Sequence, residues 1–251
     1  MSRSITSKYG LVGKNISYSF SEGYFSKKFK ELNLEECSYQ NFDINSIKDF
    51  PKIISENQDT LKGLNVTIPY KENVLSYLDE LDADADEIGA VNTIKILKNN
   101  KLKGYNTDVY GFKNSLSPLL SGHHKKALIL GTGGASKAIA FVFDELQIEY
   151  LFVSRNPKNE LTIKYDDLSK ELLENYQIVV NCTPLGTFPN IENCPDIPYQ
   201  FLSKSHLLFD LIYNPQETLF LKKGKEKGTA IKNGLEMLEL QAEKAWEIWN
   251  S

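Results

Sequence analysis

The chain has 251 residues, 41% of them hydrophobic and 25% charged, which suits one large or two ordinary folded domains and excludes a disordered or fibrous protein. A formal net charge of -4 at pH 7, with no long basic run beyond Lys125-Lys126, gives no general attraction to nucleic acid. Residues 1–8 lack the apolar run of a secretion signal, and no stretch approaches the roughly 20 apolar residues of a membrane span, so a cytoplasmic protein without a membrane partner is expected.

In chain order, Tyr9–Gly13 reads as a strand, followed by a Ser/Asn-rich loop through Ser21 and a helix with Phe25, Phe29 and Leu32 at helical spacing. A strand near Cys37–Phe42, a helix from Ile44 to about Glu56 and a strand over Gly63–Ile68 complete a β-α-β-α-β alternation, which predicts a mostly parallel sheet with helices on its faces. After Lys71 a helix is predicted to about Leu81, and Ala90–Ile94 opens a hairpin that turns at Asn99-Asn100 and returns to Asn106-Thr107-Asp108. A helix from Val109 to Leu120 leads to Ser121-Gly122, a candidate linker.

Beyond it, Ala127–Leu130 reads as a short buried strand that runs into a glycine loop and a helix to about Leu146. Strands at Tyr150–Val153, Ile178–Val180, Leu207–Leu211 and Thr229–Ile231 continue the pattern of a doubly wound nucleotide-binding domain. The last helix, from Leu235 to about Trp249, carries an apolar stripe of Leu235, Leu238, Ala242, Ala245, Trp246 and Trp249, predicted to cross back onto the first domain. The expected fold is therefore α/β and two-domain. A substrate-binding domain over residues 1–105, completed by the helix 235–251, accompanies a Rossmann-like doubly wound domain over 106–234, with a cleft between them.

Two stretches carry the chemistry. Asn65-Val-Thr-Ile-Pro-Tyr-Lys71 and Asn106-Thr-Asp108 each end a predicted strand in small hydrogen-bonding groups and together supply a lysine and a carboxylate at loop positions. A lysine beside an aspartate can pass a proton to or from a substrate oxygen, as hydroxyl-to-ketone oxidation requires when a nicotinamide takes the hydride. Alone, Lys71 reads as a surface lysine and Asp108 as a helix N-cap. Their company, Thr67, Asn92, Ser19 and Ser21, would line the C-terminal edge of a sheet, where open α/β folds bind ligands.

The loop Gly131-Thr132-Gly133-Gly134-Ala135 departs from G-x-G-x-x-G in placing Ser136 at the third glycine. It still permits a tight turn and offers helix N–H groups to a pyrophosphate. At the end of the next strand, Ser154-Arg155 stands where an acidic residue would bind the ribose 2′-hydroxyl of NAD. An arginine there accommodates the 2′-phosphate of NADP. Of 29 basic residues only Arg3 and Arg155 are arginines, which sharpens that reading against a solvated strand-end arginine. The three cysteines, Cys37, Cys182 and Cys194, and the three histidines, His123, His124 and His206, show no metal-ligand or disulfide spacing, and no metal is expected.

The order Ser19-Phe-Ser21, Asn65–Lys71, Gly89-Ala-Val-Asn-Thr93, Asn106-Thr-Asp108, Gly131–Ser136 and Asn233–Gln241 closely resembles shikimate dehydrogenase, across nearly the whole chain. The resemblance implies reversible NADPH-dependent reduction of 3-dehydroshikimate to shikimate, a step in making aromatic amino acids, by a monomer or homodimer. It implies that Ser19 and Ser21 hold the substrate carboxylate and that Thr67, Asn92, Asp108 and Gln241 bind ring hydroxyls, with Tyr213 nearby. It makes Lys71 the acid/base group paired with Asp108, and gives cofactor contacts to the glycine loop, Ser154, Arg155, Leu211 and Gly234. Glu22 stands where many members have proline, Ser154 where asparagine is frequent, and the second basic residue after Arg155 is at best Lys158. The alternatives are a quinate/shikimate dehydrogenase with NAD or dual cofactor use, and a catalytically silent dinucleotide sensor.

Overall fold

A computed structural model describes residues 6–17, 19–157 and 159–251, so Lys158 lies outside the described residues. The chain divides into two units, Met1–Thr107 with Ala242–Ser251, and Asp108–Gln241.

Unit 1 is organised on the strands β1 (Ser7–Gly13), β2 (Cys37–Asp43) and β3 (Leu61–Val66), where β1 pairs in parallel with both of the others. β4 (Glu80–Leu81), β5 (Thr93–Ile96) and β6 (Leu102–Tyr105) extend the sheet in the order β2-β1-β3-β5-β6-β4, with β5 antiparallel to β3 and β6. Because side chains alternate across a strand, Val12 enters one core with Phe50, Leu64 and Ile94, while Tyr9 and Leu11 enter the opposite one. The second core receives Phe25 and Phe29 of α1 (Phe20–Glu31) and Ala242, Ala245 and Trp249 of α8 (Leu235–Asn250). Only glycine fits at Gly63, where a Cβ would overlap the Trp249 indole. That indole donates from Nε1 to the Ile94 carbonyl at 3.0 Å.

Several local expectations need correction. The loop after β1 does not run through Ser21: α1 begins at Phe20, with Ser19 as its N-cap and Ser21 in its first turn. Leu32 caps the far end and is exposed, outside the core. The helix predicted from Ile44 starts later, as a 3-10 turn over Ile47–Asp49 followed by α2 (Phe50–Glu56). No long helix follows Lys71. A 3-10 turn, Asn73–Tyr77, gives way to β4, because the bare Cα of Gly104 leaves room for Leu78 and Leu81 to lie on β6 in extended form. The short helix α3 (Ala83–Ile88), not predicted, ends at Gly89 with φ 66°, a left-handed conformation that suits glycine.

Unit 2 carries an all-parallel sheet of β7 (Lys126–Leu130), β8 (Glu149–Val153), β9 (Thr162–Ile163), β10 (Ile178–Asn181), β11 (Leu207–Asp210) and β12 (Ala230–Lys232). Its order, β12-β11-β10-β7-β8-β9, is the 3-2-1-4-5-6 arrangement of dinucleotide-binding folds, with the switch point between β7 and β10. Leu128, Ile129 and Leu130 are fully buried, as a strand covered on both faces requires. The helices are α4 (Asp108–Leu116), α5 (Gly134–Glu145), α6 (Lys170–Asn175), α7 (Leu219–Lys225) and the first part of α8. α4 stops short of the predicted Leu120 because Pro118 cannot continue it, and Ser117–Leu119 forms a 3-10 turn instead. Among the described residues no helix is long and apolar enough to cross a membrane.

Candidate active site

In unit 1 the polar residues gather where β3 ends and β5 begins. Asn65 is buried on β3, and its amide is oriented by its neighbours: Oδ1 accepts from the Tyr39 hydroxyl at 2.8 Å, while Nδ2 donates to Thr93 Oγ1 at 3.2 Å. Asn92 Oδ1 in turn accepts from the Thr107 amide at 2.7 Å, from Thr107 Oγ1 at 3.1 Å and from Thr93 Oγ1 at 3.0 Å. Buried polar groups that satisfy one another in this way hold a single arrangement, because any rotation leaves a donor or acceptor unpaired away from water.

Thr67 follows β3 and is held by its amide, which donates to Val12 O at 2.9 Å. Lys71, half-buried, is fixed through its carbonyl, which accepts from the Val91 amide at 2.8 Å and so ties the lysine's backbone to the segment that carries Asn92. Ser19 Oγ accepts from the Ser21 amide at 3.2 Å. Ser21 is buried. Burial pushes the Tyr39 phenol far above its ordinary range, with the Ser21 hydroxyl opposing the rise. Ser19, Ser21, Thr67, Lys71 and Asn92 therefore all belong to one unit.

Asp108, the first residue of unit 2, is buried in the first turn of α4, where the helix dipole favours a negative charge. The glycine loop joins β7 to α5. Gly131 has φ 104°, its amide donates to Val153 O at 2.9 Å, and a Cβ on it would come within 3.2 Å of Thr183 Cγ2. Gly133 is the N-cap of α5, with no side-chain cap and open space where a Cβ would be. Thr132 completes the turn, and Gly134 and Ala135 begin the helix. This loop fits a dinucleotide pyrophosphate, since main-chain amides at a helix N-terminus face space that no side chain fills. Ser136, the departure from the glycine pattern, is buried and donates from Oγ to Gly133 O at 2.6 Å, so its small side chain braces the turn.

Ser154 and the exposed Arg155 follow β8, and Ser154 Oγ accepts from the Asn156 amide at 3.2 Å. Leu211 and Gly234 meet on the other side of the switch point: a Cβ at Gly234 would overlap the Leu211 carbonyl, and the Gly234 amide donates to Ile212 O at 3.1 Å. Tyr213 lies in the loop after β11, half-buried. Gln241 is buried on α8, and its Nε2 donates to Leu238 O at 2.9 Å. The sheet thus separates the Ser154-Arg155 pair from Leu211 and Gly234, with β7 and β10 between.

Residues 11–94, all within unit 1, match the family model of the shikimate dehydrogenase substrate binding domain. The chain is 37% identical to shikimate dehydrogenase (NADP(+)) of Methanococcus aeolicus, covering 99% of this chain and 94% of the other. It is 40% identical to the Clostridium botulinum enzyme of the same name, covering 96% and 95%. The chain belongs to the shikimate dehydrogenase family. A solved structure of the family from Thermus thermophilus, in complex with NADP(H) and shikimate, is 29% identical over 97% of this chain and 93% of the other, with a TM-score of 0.85. The family resemblance and the two-domain α/β fold expected from the sequence are both borne out.

Two groups of residues escaped the sequence reading. Tyr39 holds the Asn65 amide that reaches Thr93, and only Asn65 carries a local signal, its place at a strand end beside Thr67. In unit 2, Asn181 Nδ2 donates to Asp210 Oδ1 at 3.0 Å, and Asn181 Oδ1 accepts from the Thr183 amide and hydroxyl at 3.0 and 2.7 Å. Asp210 also accepts from the Ile212 amide and the Thr218 hydroxyl, while burial pushes its carboxyl up to about 6 against those bonds. The run Asn181-Cys-Thr-Pro-Leu-Gly186 has the same strand-end signature that singled out Asn65–Lys71 and could have been read in the same way.

Proposed function

We propose that this chain interconverts 3-dehydroshikimate and shikimate, with NADPH as the reductant toward shikimate, in the making of aromatic amino acids. The observation that carries the reading is family membership over nearly the whole chain, joined to an unbroken set of the side chains that this chemistry needs. Ser19 and Ser21 hold the substrate carboxylate by hydroxyl hydrogen bonds. Thr67 and Asn92 in unit 1, and Asp108 and Gln241 in unit 2, are assigned to its ring hydroxyls, with Tyr213 nearby. Lys71 gives a proton to the ketone oxygen in reduction and takes it back in oxidation, with Asp108 as the carboxylate of the pair. Bound NADPH supplies the hydride to the ketone carbon. Residues 131–135, Ser154, Arg155, Leu211 and Gly234 hold the cofactor, and Arg155 selects the 2′-phosphate. The reading places the enzyme in the cytoplasm, as a monomer or homodimer acting on small molecules alone.

The test is turnover of 3-dehydroshikimate by the purified chain with NADPH and NADH supplied separately, followed by loss of reduced-nicotinamide absorbance. Faster turnover with NADPH is expected. No turnover with either cofactor would overturn the reading, and a preference for NADH accompanied by oxidation of quinate would replace it with the quinate/shikimate alternative.

A further inference from the structure

Thr93, the first residue of β5, belongs to neither the substrate set nor the cofactor set, yet its fully buried side chain is the hub of the unit 1 network. Its Oγ1 accepts from Asn65 Nδ2 at 3.2 Å, gives its own proton to Asn92 Oδ1 at 3.0 Å and lies 3.1 Å from Thr107 Oγ1. Asn65 is held in that orientation. Its Oδ1 accepts from the Tyr39 hydroxyl at 2.8 Å, and its Nδ2 also faces Asn92 O at 3.4 Å, where an exchanged amide would set acceptor against acceptor. The bonds therefore run one way, from Tyr39 through Asn65 and Thr93 to Asn92 Oδ1, and each polarises the next. Asn92 Oδ1 also accepts from the Thr107 amide at 2.7 Å and from Thr107 Oγ1 at 3.1 Å, so both lone pairs of that carbonyl are engaged. Exchanging the ends of the Asn92 amide would set Nδ2 against the Thr107 N–H, donor against donor, which fixes the carbonyl end inward. What Asn92 offers a ligand is then its Nδ2 hydrogens.

We propose that Thr93 is a positioning residue for the substrate ring: its hydroxyl, fed by Asn65, holds Asn92 so that Asn92 meets a ring hydroxyl as a hydrogen-bond donor. The proposal rests on the reading that Asn92 binds such a hydroxyl. The terminal torsion of an asparagine side chain is broad, so its amide plane swings unless the oxygen is gripped from more than one side. Thr93 and Thr107 supply those grips, both within unit 1. Without the Thr93 hydroxyl, each binding event would have to fix the amide plane anew, at a cost in side-chain entropy.

The experiment is a double-mutant cycle of Thr93→Val and Asn92→Ala, with Thr93→Ser beside it, read as KM for shikimate, KM for NADP+ and kcat, and with thermal unfolding as the check on folding. Thr93→Val keeps the branched shape and removes the hydroxyl, whereas Thr93→Ser keeps the hydroxyl. Loss of one such hydrogen bond should raise KM for shikimate roughly three- to tenfold in the valine variant, while kcat and KM for NADP+ move less than about twofold. The serine variant should stay within about twofold of the parent in all three, since its hydroxyl makes the same bond. In the Asn92→Ala background the valine change should raise KM no further, which a merely structural role for Thr93 would not produce. If Thr93→Val fails to fold, Thr93→Cys, whose thiol is a weak donor, is read in its place. An unchanged KM in Thr93→Val, a serine variant as impaired as the valine one, or an effect that persists in full without Asn92 overturns the proposal and leaves the ring-hydroxyl reading standing. If Asn92→Ala itself leaves KM unchanged, that reading and the proposal fall together.

Discussion

At the polar edge of the unit 1 sheet the groups presented are side chains: Asn65, Asn92, Thr93 and Thr107 are buried and bond to one another, and Tyr39 donates to Asn65. At the corresponding edge of unit 2, the glycine loop presents main chain, with Gly133 open to space and Gly131 held in a conformation that side chains rarely adopt. The two edges suit different ligands. A small ring with hydroxyls and a carboxylate is distinguished by individually placed hydroxyl and amide groups, whereas a pyrophosphate needs only aligned amides and a helix N-terminus. The contrast teaches where single substitutions should matter. On the proposed reading, losses of function in unit 1 should follow many of the polar side chains at the edge, while in unit 2 cofactor selectivity should follow one side chain, Arg155.

The largest effect expected from that contrast is at Lys71. Lys71→Ala should lower kcat by at least about 100-fold, the scale of general acid–base catalysis, while NADP affinity stays within about twofold. Steady-state kinetics with a fluorescence titration of the cofactor checks both halves, and a near-normal kcat would remove Lys71 from the chemistry.

Arg155→Ala should act on one cofactor only. Losing a charge-assisted contact to the 2′-phosphate costs about 1.5–3 kcal/mol, or roughly 10- to 150-fold in NADP affinity, and NAD binding should be nearly untouched. Arg155→Lys should restore part of the loss, since it offers charge without the planar fork. Equal weakening of both dinucleotides in a titration would mean that the arginine supports the loop and does not select the cofactor.

The smallest effect concerns stability and pH, and it distinguishes a structural corner of unit 2 from its functional edge. His124 is buried with Nδ1 accepting from the Ser121 amide at 3.0 Å, which requires the neutral ring. Burial first, and then the neighbouring His123, hold its pKa below the ordinary value, against the pull of the Ser205 carbonyl. A base whose pKa is depressed by folding contributes stability above its unfolded value, near 6.5, and loses it as pH falls through that value. Asp210 works in the opposite sense: with its carboxyl pushed up to about 6, the fold gains as that group takes a proton, offsetting part of the acid loss. Thermal unfolding of His124→Gln between pH 7.5 and 5.5 should therefore show a shallower fall than the parent, to be read at about the ordinary histidine range. An identical slope would assign the acid sensitivity elsewhere.

Much of this was legible in the sequence because it depends on short-range order. The glycine loop between an apolar strand and a helix, the strand-end clusters at Asn65–Lys71 and Asn106–Asp108, and the buried Leu128–Leu130 run all carry local signals. The helix expected after Lys71 does not form, since the partner of Leu78 and Leu81 is the bare Gly104 on another strand, which no local pattern records. Tyr39 was invisible for a related reason: its partners, Phe25 and Asn65, lie on different elements, so its contacts exist only once β2, α1 and β3 are packed. Asp210 ends an apolar strand and looks like an ordinary strand-end carboxylate until Asn181 and Thr218 close around it.

The division of labour between side-chain and main-chain edges is tested most directly by calorimetric titration of two variants, the double Ser19→Ala/Ser21→Ala and the single Arg155→Ala, each with shikimate and with NADP+. Losing hydroxyl hydrogen bonds to a carboxylate costs about 1.5–3 kcal/mol apiece, so the serine variant should bind shikimate more than tenfold more weakly and NADP+ normally. The arginine variant should show the reverse. Shikimate bound by the serine variant as tightly as by the parent, or both ligands weakened alike in either variant, would contradict the account.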